Sequence, residues 1–135
     1  MYTQKDIFLV TGATSGIGKG VVLSLLNQGA KVIAVGRDSK KLASLQDEAS
    51  KKTNLILEKK DLSNCNGLDK WILNISKKNG KLKGLVLSAG VQQIAAISSA
   101  LSVEKSKELF EINYFSNIQL TKGFCDRRAN IGKGS

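Results

Sequence analysis

The 135 residues contain no histidine, no proline and only two cysteines. The missing histidine excludes Ser-His-Asp and Cys-His nucleophile systems and removes the commonest transition-metal ligand. Cys65 and Cys125 lie far apart with no CxxC spacing, so no zinc site is written here. Both read as free, reduced thiols. Cys65 stands near a predicted helix start, where a thiolate is favoured; the competing reading is a partly buried small apolar residue. No apolar run approaches the roughly 20 residues that cross a bilayer. Met1–Val10 lacks both the basic region and the small-residue cleavage site of a secretory signal. These absences predict a cytoplasmic chain with no membrane partner.

Aromatic residues are scarce, at 5%, and arginine occurs only at positions 37, 127 and 128. The formal charge is nevertheless +10, from 21 basic and 11 acidic side chains, and such an excess invites a nucleic-acid reading. The lysines argue against it. They are scattered in pairs (Lys40-Lys41, Lys51-Lys52, Lys59-Lys60, Lys77-Lys78), and no aromatics interleave with them to make a base-stacking platform. The pattern is that of a solvated lysine-rich surface, and no nucleic-acid partner is expected.

What is present is an alternation of strand and helix patterns long enough for one core. Ile7-Phe8-Leu9-Val10, Lys31–Gly36, Leu55–Glu58 and Gly84–Ser88 are short β-rich runs of the kind buried on both faces of a sheet. Between them, apolar residues recur at helical spacing: Ile17, Val21, Val22, Leu25 and Leu26, then Leu42, Leu45 and Ala49, then Leu68, Trp71, Ile72 and Ile75. Gly29 suits a helix end, and Asp38 or Ser39 suits a helix start. Trp71 reads as core packing. A loop is expected from Gly90 to about Ala100. A long helix should follow, carrying Val103, Leu109, Phe110, Ile112, Phe115, Ile118 and Leu120. Residues from Gly123 to Ser135 show no pattern and read as a connection or frayed end. Four strands alternating with helices predict an α/β, Rossmann-like doubly wound parallel sheet in the order 3-2-1-4.

The first strand runs into Thr11-Gly12-Ala13-Thr14-Ser15-Gly16-Ile17-Gly18. Gly12 lets the chain turn out of the strand. Gly16 and Gly18 remove side chains, so that backbone can approach a pyrophosphate and the helix can pack on the sheet. The helix N-terminus then presents free N–H groups and a partial positive charge, and Thr14 and Ser15 add hydroxyls. The bland alternative is a tight strand-to-helix turn with no ligand.

This Thr-Gly-x-x-x-Gly-Ile-Gly run resembles the cofactor motif of the short-chain dehydrogenase/reductase family in spacing and identity. It is unlike the Gly-x-Gly-x-x-Gly of other dinucleotide enzymes. Three further positions agree in order and context. Asp61-Leu62 follows the third strand, where the family's aspartate contacts the adenine ring. Ser88-Ala89-Gly90 ends the fourth strand, where the family usually reads Asn-Asn-Ala-Gly. Asn113 matches the helix asparagine of the family's catalytic tetrad. Each has an alternative role: Asp61 as a cap on the turn after a strand, Ala89-Gly90 as a small-residue turn, and Asn113 as a helix residue bonded to a backbone carbonyl, to water or to an active-site relay. The resemblance implies an NAD(P)-dependent oxidoreductase acting on a carbonyl or secondary alcohol. An NAD enzyme places an acidic residue at the end of the second strand. Gly36-Arg37 stands here instead, and arginine suits a 2′-phosphate. With Asp38 read as a helix cap, the expected cofactor is NADP(H) in preference to NAD(H).

The chain also departs from the family. The family's Tyr-x-x-x-Lys lies on the helix after a fifth strand, and no such pair occurs here: Tyr114 is followed by Ile118, and Tyr2 by Asp6. In the family the tyrosine is the general acid/base, the lysine lowers its pKa and the serine orients the substrate. Residues 1–122 are therefore expected to be the N-terminal part of a single NAD(P)-binding domain, with 123–135 a connection toward a fifth strand. The chain alone should be inactive in hydride transfer. Its fourth strand should be an open apolar edge that favours a homo-oligomer. A noncatalytic nucleotide-binding or regulatory module is the alternative function, and a basic nucleic-acid binder ranks last.

Overall fold

The computed structural model describes residues 1–92 and 102–132. Most of the expected loop from Gly90 to Ala100, and the last three residues, lie outside the described residues. Four parallel strands are ordered β3-β2-β1-β4, as expected. They are β1 (Ile7–Thr11), β2 (Lys31–Gly36), β3 (Leu55–Lys59) and β4 (Leu82–Leu87). Helices α1 (Gly16–Asn27), α2 (Ser39–Glu48) and α3 (Leu68–Asn79) connect them. After β4 come α4 (Val103–Phe110), a π turn (Glu111–Phe115) and α5 (Ser116–Phe124).

Alternation along the strands builds two cores. Leu9, Ile33 and Val35 point to the face covered by α3 and α5, where Leu68, Ile72 and Leu120 are buried. Val10, Val32 and Ala34 point to the opposite face, against Val22, Leu25 and Leu26 of α1 and Leu45 of α2. A run apolar at every position is thus required by helices on both sides. α1 ends in a Schellman arrangement, with Gly29 N–H bonded to Leu26 O at 3.0 Å and Ala30 N–H to Leu25 O at 3.1 Å. Asp38 caps α2, its carboxylate accepting from the N–H groups of Lys40 (2.8 Å) and Lys41 (3.2 Å).

Two expectations change. The long helix is interrupted: the π turn carries one extra residue per turn through Asn113. Its apolar side chains are also largely uncovered, since only Leu120 is fully buried while Val103, Phe110, Phe115 and Ile118 are exposed. The residues after Gly123 are packed rather than loose. Gly123 and Phe124 complete α5, and Ala129 is wholly buried. Leu82 N–H donates to Ala129 O (2.7 Å) and Ile131 N–H to Leu82 O (3.1 Å), a parallel bridge beside β4. Ser76 Oγ donates to the same Ala129 carbonyl at 3.0 Å. Ala129–Ile131 thus pairs with Leu82 as an isolated parallel bridge. Among the described residues, no strand pairs with Leu85–Leu87 on the side away from β1.

Two predictions follow from this packing. A Cβ at Gly123 would sit 2.5 Å from Asp69 O and 2.8 Å from Asp69 Cα, because α5 crosses α3 at that point. Gly123→Ala should cost about 1–3 kcal/mol, read as a lower urea midpoint; an unchanged midpoint contradicts this contact. At the N-terminus, Lys83 Nζ donates to Asp6 Oδ1 at 2.6 Å. That bond, with the Thr3 N–H, holds the Asp6 carboxyl at about 2 instead of 3.8. A depressed carboxylate stabilises the fold above its unfolded pKa, and that contribution disappears as pH falls toward the folded value. Asp6→Asn should therefore flatten the loss of stability between about pH 4 and pH 2; parallel acid-unfolding curves for the two proteins would contradict it.

Candidate functional site

The reversal of strand order lies between β1 and β4, and the groove opens at the C-terminal ends of these strands. Thr11, with no exposed surface, ties the two strand ends together. Its hydroxyl accepts from the N–H groups of Ser88 and Ala89, each at 3.1 Å, and donates to Val86 O at 3.4 Å. Gly12 follows with φ +62°, where a Cβ would lie 2.7 Å from Ser88 O and 2.8 Å from Ala89 N. A Cβ at Gly18 would collide with Gly12 O, so α1 is seated directly on the turn that feeds it. At Gly16, φ is +49° and no atom lies within 4 Å of a built Cβ; this glycine faces the open groove. Ser15 occupies the N-cap position without a side-chain capping bond. The first N–H groups of a helix have no partner within it, and Ser15, Gly16 and Ile17 at the start of α1 line the groove.

The groove has a volume of about 690 Å³. The β1–α1 turn supplies Gly12, Thr14, Ser15, Gly16 and Ile17; β2 and the start of α2 supply Gly36, Arg37, Asp38 and Lys41. The loop after β3 supplies Lys60, Asp61, Leu62 and Ser63, and the end of β4 supplies Ser88, Ala89, Gly90, Val91 and Gln92. Every cofactor-site residue expected from the sequence lines this space except Gly18, which lies beneath it as the packing glycine. Ile17 is not a core residue of α1 as its spacing suggested: it is 81% exposed at the groove. Leu62 contributes only its edge, because its side chain is buried in the α3-side core.

Asp61 Oδ1 accepts from Ser63 N–H at 2.9 Å, which is the turn-capping role. That bond, helped by the nearby charges of Arg37 and Lys60, holds its carboxyl below the ordinary 3.8. Asp61 remains an acceptor at the groove while it braces its own loop. Asn113 bonds both polar groups of one residue: Oδ1 accepts from Val91 N–H and Nδ2 donates to Val91 O, each at 2.8 Å. Of the alternatives open for Asn113, the backbone partner is the one observed. Cys65 does not favour a thiolate. Its thiol is pushed up from 9.0, chiefly by its hydrogen bond to Glu111, and it packs beside the core.

Lys41, Lys60 and Val91 line the groove without having been singled out in the sequence, while Thr11 and Gly36 stood inside quoted runs with no site role of their own. Thr11 had one signal, a hydroxyl at the end of an otherwise apolar strand. Lys41 had another, a second cation close after Arg37 in the first turn of α2. Gly36 is fixed by Thr14 Cγ2, 2.8 Å from where its Cβ would be. Lys60 and Val91 gave no sequence signal.

The sequence matches the profile of the short chain dehydrogenase family over residues 6–135, and the chain belongs to that family. It is 34% identical over 125 residues to a 3beta-hydroxysteroid dehydrogenase of Mediterraneibacter gnavus, covering 90% of this chain and 42% of that protein. It is 28% identical over 116 residues to an NADP-dependent 3-hydroxy acid dehydrogenase of Escherichia coli, YdfG, covering 86% of this chain and 46% of that one. The fold superposes on a metagenomic short-chain oxidoreductase crystallised with NADP, with TM-score 0.80 and 24% identity, covering 90% of this chain and 56% of that one. The chain spans less than half the length of these two curated relatives.

The two turn glycines should respond differently to substitution. Gly12→Ala combines positive φ with backbone collision and should cost about 3 kcal/mol or more. Gly16→Ala meets only the backbone strain and should cost about 1–2 kcal/mol. Equal urea midpoints for the two variants would contradict the packing described.

Proposed function

We propose that this chain forms the adenosine-phosphate side of an NADP(H) site in an oxidoreductase acting on a carbonyl or secondary alcohol. The observation that carries the reading is the β1–α1 turn. It is side-chain-free where backbone must face the groove, and Arg37 stands across from it at the end of β2. The open space over Gly16 fits a pyrophosphate, and the N–H groups at the start of α1 would hold it. Thr14 and Ser15 add hydroxyl donors. Arg37, with Lys41 in the first turn of α2, would hold a 2′-phosphate through charge-assisted bonds. Asp38 Oδ1 accepts from the N–H groups of Lys40 and Lys41, in keeping with its reading as the cap of α2 and with Arg37 as the cofactor-selecting residue. Asp61 and the backbone of Leu62 would border the adenine. Ser88, Ala89 and Gly90 would let the dinucleotide lie against the strand ends.

When bound, the nicotinamide supplies or accepts a hydride. Ile17, exposed at the groove, would offer the bound cofactor an apolar contact. Asn113 holds the loop after β4 in shape through Val91. An amide does not act as a general acid or base at neutral pH, so proton transfer belongs to the family's tyrosine and lysine. These are absent from this chain, which should show no hydride transfer by itself. The names of the two relatives, a 3beta-hydroxysteroid dehydrogenase and a 3-hydroxy acid dehydrogenase, are in keeping with an alcohol or carbonyl substrate.

The exposed Phe110, Tyr114, Phe115 and Ile118 form an apolar stretch that suits self-association, and we assign a homo-oligomer on that ground. No helix among the described residues is long and apolar enough to cross a membrane. Two unpaired cysteines suit the reducing cytoplasm.

Titration with NADPH and NADH, followed by calorimetry, tests the cofactor assignment. NADPH should bind more tightly, and Arg37→Ala should remove about tenfold or more of that advantage. Equal affinity for the two dinucleotides, unchanged by the substitution, would contradict it.

A further inference from the structure

The π turn faces two ways. Asn113 reaches the loop after β4, as described. Two other side chains reach the opposite rim, the loop that follows β3. Ser116 is fully buried, and its Oγ donates to Leu62 O at 2.7 Å. Glu111 Oε1 accepts from Cys65 N–H at 2.8 Å. The segment between these two anchors contains Ser63, whose N–H is already tied to Asp61. The last sheet-side bond before this loop is Lys60 N–H to Gly36 O at 2.9 Å, and α3 does not begin until Leu68. Loop backbone outside a ladder or helix is held by whatever side chains reach it.

The extra residue explains how Glu111 and Ser116 act together. Residues five apart fall on different faces of an α-helix of about 3.6 residues per turn. In the π turn the Ser116 N–H bonds to Glu111 O, an i→i+5 contact that stacks one residue over the other. Both side chains can then meet the same loop. We propose that Glu111 and Ser116 are positioning residues of the dinucleotide site: they clasp the loop carrying Asp61 and Leu62 to the same helical turn whose Asn113 fixes the opposite rim. The inference rests on the NADP(H) reading above. The charge state suits the role, because the Cys65 N–H and thiol hold the Glu111 carboxyl below its usual range, so it is an acceptor at neutral pH.

The test uses the full-length protein. The probe for the adenine side is adenosine 2′,5′-bisphosphate, titrated by calorimetry. Initial rates with NADPH supply KM and kcat. Glu111→Ala and Ser116→Ala should each weaken the probe by about three- to tenfold, the loss of one hydrogen bond. KM for NADPH should rise by more than kcat falls. Glu111→Gln keeps an oxygen acceptor and should restore most of the affinity. A merely structural role would lower the melting temperature and leave probe affinity and KM where they were; that result overturns the proposal. Glu111 is only half-buried, so its variants keep the test open should Ser116→Ala fail to fold. A wild-type protein that binds neither NADPH nor the probe would instead overturn the dinucleotide reading, and this inference with it.

Discussion

The structure depends on how closely two backbones approach where β1 and β4 end. Gly12 lies against Ser88 and Ala89 with no space for a side chain, and α1 is seated on Gly12 through Gly18. The Thr11 hydroxyl closes the same junction by satisfying two N–H groups that have just left the ladder. A buried, unpaired N–H costs about as much as a lost hydrogen bond. The junction therefore needs a hydroxyl at one position and glycine at the next. Once it is made, the start of α1 points into the groove.

Topology places everything else around that junction. The chain first builds outward through β2 and β3, then returns to the other side of β1 to make β4. The crossovers leave a crevice at the strand ends, where loops from β2, β3 and β4 converge. Charge in the crevice is of mixed sign. One oxygen of each carboxylate is bonded to backbone: Asp38 caps α2, and Asp61 braces its loop. Arg37, Lys41 and Lys60 border the same space, which gives the groove a bias toward an anionic ligand. The overall excess of lysine adds a long-range field of the same sign.

Much of this was legible in the sequence, for identifiable reasons. Continuous apolar runs and turn glycines marked the strands, and the order followed from handedness. The Asp38 cap was written in its position before an amphipathic run. Other features were not legible. An inserted helical residue leaves no trace in a spacing pattern that already tolerates drift, so the π turn at Asn113 looked like plain helix. Ile17 fitted the helical stripe of α1, but its first turn overhangs the groove and leaves it exposed. The packing of Ala129–Ile131 is decided by Leu82 and Ser76, about fifty residues upstream. Local composition carried no record of that pairing. The uncovered apolar residues of α4 and α5 were equally invisible, since periodicity reports an apolar face and not what covers it.

The proposed site seats a dinucleotide pyrophosphate between the glycine-lined turn after β1 and the N-terminus of α1. A crystal structure of the full-length protein with NADPH tests it most directly. The pyrophosphate oxygens should lie within hydrogen-bond distance of backbone N–H groups between Ser15 and Gly18, with the 2′-phosphate against Arg37. A dinucleotide seated elsewhere, with the β1–α1 turn contacting only protein or water, would contradict it.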